Sequence, residues 1–206
     1  MKRLACLFLA ICLLAAFAGG CRRNTDNNTP TDPTVPSTPT DPTSNPTKTE
    51  NGALKILQTV WDSYGEDEKF TVIGGDPDNM VDGAPGAFSL EDPEAVTYSL
   101  LIPAEQITGI DEAASLTHGM LSNNFTCGVF HLVDGTDASA FALAMYEAVQ
   151  NSRWMCGMPE RVIVAIVEDR YVLMAYGLEN VLLQLQSKLT AAYPNTQIAY
   201  NAQITG

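Results

Sequence analysis

Positive charge is scarce in this chain. Its 206 residues hold 11 Lys+Arg against 24 Asp+Glu, a formal net charge of −13 with the histidines neutral. Nucleic-acid backbones are bound by clustered Lys and Arg that release counterions, so this shortage excludes nucleic acid as a partner. Histidine is rarer still. The two present, His118 and His131, stand in no His-x-x-x-His or Glu-x-x-His spacing, and the 5 cysteines form no Cys-x-x-Cys. The usual zinc patterns are therefore missing. There is no Gly-x-Ser-x-Gly elbow and no phosphate-cradling glycine loop either. Cys127 and His131 share one face of a strand but would stand about 13 Å apart, beyond hydrogen-bond reach. With no recognisable catalytic set, the chain is expected not to be an enzyme.

Long apolar runs are absent beyond residue 20, which leaves no room for a multi-pass membrane protein. One run precedes it. Lys2 and Arg3 are followed by the uninterrupted apolar stretch Leu4 to Phe17, then by Ala18, Gly19, Gly20 and Cys21. A charged head, an apolar stretch and a small-residue exit describe a secretory signal over residues 1–20. A Cys placed directly after Ala-Gly-Gly resembles the lipobox of bacterial lipoproteins. That resemblance implies that Cys21 carries a diacylglycerol thioether and becomes the mature N-terminus. The other reading of Leu4 to Gly20 is an uncleaved anchor, at the lower limit of spanning length. Both place the rest of the chain on the extracytoplasmic side of the cell membrane, the first of them lipid-anchored. Arg22 and Arg23 would then lie against anionic headgroups.

From Asn24 to Glu50 the composition changes. Nine Thr and six Pro fall here, with Val35 the lone aliphatic residue. Such a segment buries too little apolar area to repay its ordering entropy, and its prolines favour extended geometry. Residues 21–50 are expected to be a disordered tether, the lipidated Cys plus a Thr/Pro-rich spacer; a binding motif or glycosylated stalk is the other reading.

Residues 51–206 carry the periodic segments of a globular domain. Leu54, Leu57, Val60, Trp61 and Tyr64 make one helical face, with Asn51 available as N-cap. Phe70 to Ile73 and Tyr98 to Pro103 read as short strands, and Ile110, Ala113, Ala114, Thr117 and Leu121 as a short helix. Phe125 to Val133 is a strand closed by the Asp134-Gly135 turn. Thr136 or Asp137 then caps a helix striped by Ala138, Phe141, Met145 and Val149. Val162 to Val167 and Tyr171 to Tyr176 form a hairpin across Glu168, Asp169 and Arg170. A helix striped by Leu178, Val181, Leu182, Leu185 and Leu189 follows, and Thr196 to Ile204 returns as an edge strand. The fold class is α+β: an antiparallel sheet with packed helices, two layers, one domain. The hairpin strands are apolar on both faces, so either helices cover both or one face is an association surface.

Val129 to Asp134, Ala138 to Ser152 and Asp169 to Ala175 resemble the uncharacterised small lipoproteins of Gram-positive anaerobes, a domain of unknown function. There a strand ending in Val-Asp leads into a long helix, and a Tyr-Val-Leu-Leu strand comes later. The resemblance implies a fold and no activity.

Three constellations are candidates. Cys127 and Cys156 are the domain's two cysteines, either a disulfide or free thiols. Between Asp62 and Glu112 thirteen acids face the single base Lys69. Within that segment the loop Gly74 to Gly86 carries Asp76, Asp78 and Asp82, oxygen ligands of the kind Ca²⁺ takes, though not at EF-hand spacing. The segment is a Ca²⁺ or small-ligand site, a docking face for a basic partner, or a solvated face. Arg153, Trp154, Met155 and Met158 have the composition of interface hot spots; they form either a contact patch or a lid on the core. The function expected is a membrane-anchored interaction or accessory module for another envelope protein. The alternative is a small-ligand or Ca²⁺-binding lipoprotein. No cofactor is expected beyond the lipid.

Overall fold

The computed structural model describes residues 51–205. The signal segment, Cys21 and residues 22–50 lie outside the described residues.

The first helix, α1 (Gly52–Asp62), starts where Asn51 Oδ1 accepts from the Leu54 N–H at 2.8 Å. It buries Ala53, Ile56, Leu57, Val60 and Trp61. Three short strands follow: β1 (Val72–Gly74), β2 (Val81–Asp82) and β3 (Gly86–Phe88). α2 (Pro93–Leu100) leads to β4 (Ile110–His118) and β5 (Phe125–Leu132). α3 (Ala138–Gln150), β6 (Arg161–Val167), β7 (Tyr171–Gly177), α4 (Glu179–Ala192) and β8 (Gln197–Gln203) complete the domain. The antiparallel sheet runs β2-β1-β4-β5-β7-β6-β8, and β3 shares the outer edge of β4 with β1.

Strand alternation sorts the core into two. Leu116, Cys127, Val129, Ile163, Ala165, Leu173 and Ala175 face α1 and α4. Ala113, Phe130, Val162, Val164, Val172 and Met174 face α2 and α3, against Val96, Leu100, Phe141, Met145 and Val149. Adjacent strand residues point to opposite faces, so a strand apolar throughout must be covered twice. The antiparallel sheet with packed helices is as the sequence reads, and its helices lie on both faces. The stack is helix–sheet–helix, three layers where the sequence reading counted two, because both faces of the central strands are apolar and each is covered by helices.

Two elements differ from the sequence reading. Residues 98–100, read as a strand, are the last turn of α2. Asp92 Oδ1 accepts from the N–H groups of Glu94 and Ala95, Pro93 takes the first helical position, and Leu101 ends the helix at φ 52. Asp-Pro-Glu is a helix start, and it outweighs the β-like run after it. Residues 110–118, read as a helix, are β4, which is paired on both sides. Small residues at Ala113, Ala114 and Ser115 suit a strand packed under helices, and this tertiary placement overrides their helical propensity.

Among the described residues, no helix is long and apolar enough to cross a membrane.

Candidate functional site

The three loop aspartates do not converge. Asp76 is buried, and its carboxylate accepts from the backbone N–H groups of Asp78, Asn79 and Ser89 at 3.0, 3.0 and 3.1 Å, and from the Asn79 side chain. Burial opposes its charge. The Ser89 and Asn79 donors outweigh burial and hold the carboxyl below the usual aspartate range. A cation would have to displace those donors. Asp78 and Asp82 are exposed, Asp82 within β2. Gly74 and Gly86 close the loop's base, where a Cβ on Gly74 would lie 2.2 Å from the Gly86 nitrogen. Among the described residues, no group of three or more His, Cys, Asp or Glu is arranged to hold a metal ion.

Other acids of this segment are also occupied. Glu112 Oε2 accepts from the Gly52 N–H at 2.7 Å, Glu68 pairs with Lys188 at 2.6 Å, and Asp92 caps α2. Asp111, at a bulge in β4, holds His131 Nδ1 at 2.5 Å. These carboxylates serve the fold, a role that charge counting does not reveal.

The cysteines do not pair. Cys127 is fully buried in the core facing α1 and α4, where burial pushes its thiol well up. Cys156 is exposed on the loop after α3, and both thiols are free.

A cleft of about 560 Å³ opens at the end of the sheet where β4 and β7 finish. One wall is the loop residues Arg153, Trp154, Met155 and Cys156; the other comes from Tyr98 on α2 and Leu121 before β5. Trp154 serves both roles read from the sequence. Its ring packs 5.0 Å from that of Tyr176, lidding the core, and it also faces the cleft. Tyr98 is 87% exposed and Met155 81%, so apolar side chains of two separate elements stand in solvent at the cleft. Met158 is exposed too, outside the cleft wall. Asn123 fixes the loop: its side-chain amide donates to the carbonyls of Met155 and Gly157 at 2.8 and 2.6 Å. Cys156 between them is held at φ 63, a strained conformation for a residue other than glycine.

Charge in the cleft is opposite to that of the domain. None of its lining residues is Asp or Glu, and Arg153 is its one charged group. Arg161, Arg170, Lys69 and Lys188 each hold a carboxylate, whereas Arg153 forms no ion pair among the described residues. The Trp154 indole N–H is sealed in without a hydrogen-bond partner among the described residues. Tyr98, Leu121, Asn123 and Tyr176 escape a sequence reading. The Asp-Pro-Glu helix start would have found Tyr98, since Val96 and Leu100 bury one face and leave it on the other. The rest meet only through the sheet.

A scan against protein-family models, a search of curated proteins and a search of solved structures give no match for this chain.

Proposed function

We propose that the chain is a membrane-anchored extracytoplasmic lipoprotein whose domain is an interaction module for another envelope protein. Anchoring rests on the Lys-Arg head, the apolar run and the Ala18-Gly19-Gly20-Cys21 box, with residues 22–50 as the spacer. The observation that carries the interaction reading is the cleft at Trp154. Aromatic, Met and Arg side chains are enriched where protein interfaces concentrate their energy, and here they flank a concavity rather than scatter over the surface.

In-cell crosslinking of the tagged chain, with mass spectrometry of what it captures, tests the proposal. One dominant envelope partner crosslinked at the 153–158 loop is expected, and an intact, unmodified Cys21 peptide would overturn the anchor. A second reading places a cationic ligand at a smaller recess of about 370 Å³ lined by Asp76, Asp78, Glu91 and Asp92. A rise in melting temperature with Ca²⁺ would favour that reading.

A further inference from the structure

The cleft's chemistry narrows what it receives. Three features coincide there: a guanidinium without a counter-ion among the described residues, exposed aromatic and Met side chains beside it, and no carboxylate in the lining. In a domain whose residues 62–112 hold thirteen acids against one base, an acid-free recess with an uncompensated guanidinium is the local exception. A carboxylate supplies two acceptor oxygens and suits a guanidinium better than any neutral group does. The exposed Tyr98 ring and the Met155 and Leu121 side chains offer apolar contact to whatever carries that charge. Its volume is within the roughly 300–1,000 Å³ of small-ligand clefts.

Resting on the interaction reading above, we infer that the cleft binds the C-terminal residue of a partner polypeptide, an aromatic or large aliphatic residue whose α-carboxylate meets Arg153 while its side chain lies against the Trp154 wall. A chain end fits better than an internal acid, because one residue then supplies both the charge and the apolar side chain. Only one length of peptide has to leave the recess. Long-range repulsion from the acidic domain disfavours a partner tail rich in further acids, so the preceding residues are neutral or basic.

The test uses the full chain in detergent micelles and two probes: the tripeptide Gly-Ala-Phe as its free acid and as its C-terminal amide. The chain has 2 tryptophans, and Trp61 donates its indole N–H to the Gly83 carbonyl at 3.1 Å, so two indole signals report separately. Addition of the acid is expected to move the Trp154 indole signal and leave that of Trp61 in place. The amide should bind about tenfold more weakly or worse. Arg153→Gln should close that gap, and Arg153→Lys should restore part of it. Equal binding of acid and amide, a gap that persists in Arg153→Gln, or no binding at millimolar probe overturns the inference. A crosslinked envelope partner at the loop with no preference for the acid would sink this inference and leave the interaction reading standing. Acid-selective binding with no envelope partner would do the reverse.

Discussion

Glu112 and Gly52 are joined across 60 residues of sequence: the carboxylate on β4 accepts the first helical N–H of α1 at 2.7 Å, and the next N–H, that of Ala53, at 3.3 Å. Helix N-termini carry unsatisfied donors and a partial positive charge, so a strand carboxylate placed there locks the helix onto the sheet. Glu112→Ala should lower stability by about 1–2 kcal/mol. Glu112→Gln should lose less, since its carbonyl still accepts. Denaturant melts of the two variants give the comparison; equal losses would mean that the neutral acceptor rescues nothing and the charge carries the interaction, whereas a Gln variant as stable as the parent would mean that the charge contributes nothing.

Asp76 makes the fold sensitive to acid. Its folded-state carboxyl titrates below the ordinary aspartate value, so its stabilisation is fully present above about pH 4. It is lost as pH falls through the lower folded value. Asp76→Asn removes that dependence and leaves the Ser89 N–H short of an acceptor, costing about 1–3 kcal/mol at neutral pH. Urea midpoints of both proteins should differ most at pH 7, and the difference should narrow progressively as pH falls below about 4.

Thiol chemistry should separate the two domain cysteines. In the native protein the alkylating reagent should modify Cys156 within minutes and spare Cys127, which reacts only on unfolding. Peptide mass spectrometry after timed alkylation reads both. A Cys127–Cys156 crosslinked peptide from unreduced protein would contradict the structure.

The loop around Trp154 should loosen without the fold. Asn123→Ala removes the two hydrogen bonds that hold the Met155 and Gly157 carbonyls. Acrylamide quenching of Trp154 should rise in that variant, read in a Trp61→Phe background. The melting temperature should fall by only a few degrees, since the bonds are exposed.

The β6–β7 turn stores strain that can be relieved. Glu168 and Asp169 are held at φ 49 and 61, a region where a side chain costs roughly 1–2 kcal/mol. Asp169→Gly should raise the melting temperature, which calorimetry would show. A decrease would mean that the unfolded chain's added freedom outweighs the strain.

Much of the fold was legible because its strongest signals are local. Asn51 and Asp137 act as N-caps, Gly135 turns at φ 89, and the β6–β7 hairpin closes where the polar gap lies. β4 was not legible, because Ala113, Ala114 and Ser115 become a strand only through partners on both sides. The Arg153–Met155 wall could be singled out from composition. The cleft could not, since Tyr98, Leu121 and Tyr176 converge across separations of many tens of residues.

The outer edge of β4 is divided between β1 and β3, strands of three residues each, whereas β5, β7 and β6 pair along seven. Amide exchange follows such differences, because short ladders open without the whole sheet. The segment Val72–Phe88, with Asp76 as its pin, should therefore open more readily than the long ladders of β5, β7 and β6, and its amides should exchange before those of the Tyr176 wall of the cleft. Opening there would reach the cleft at Thr117, which pairs with Ile73.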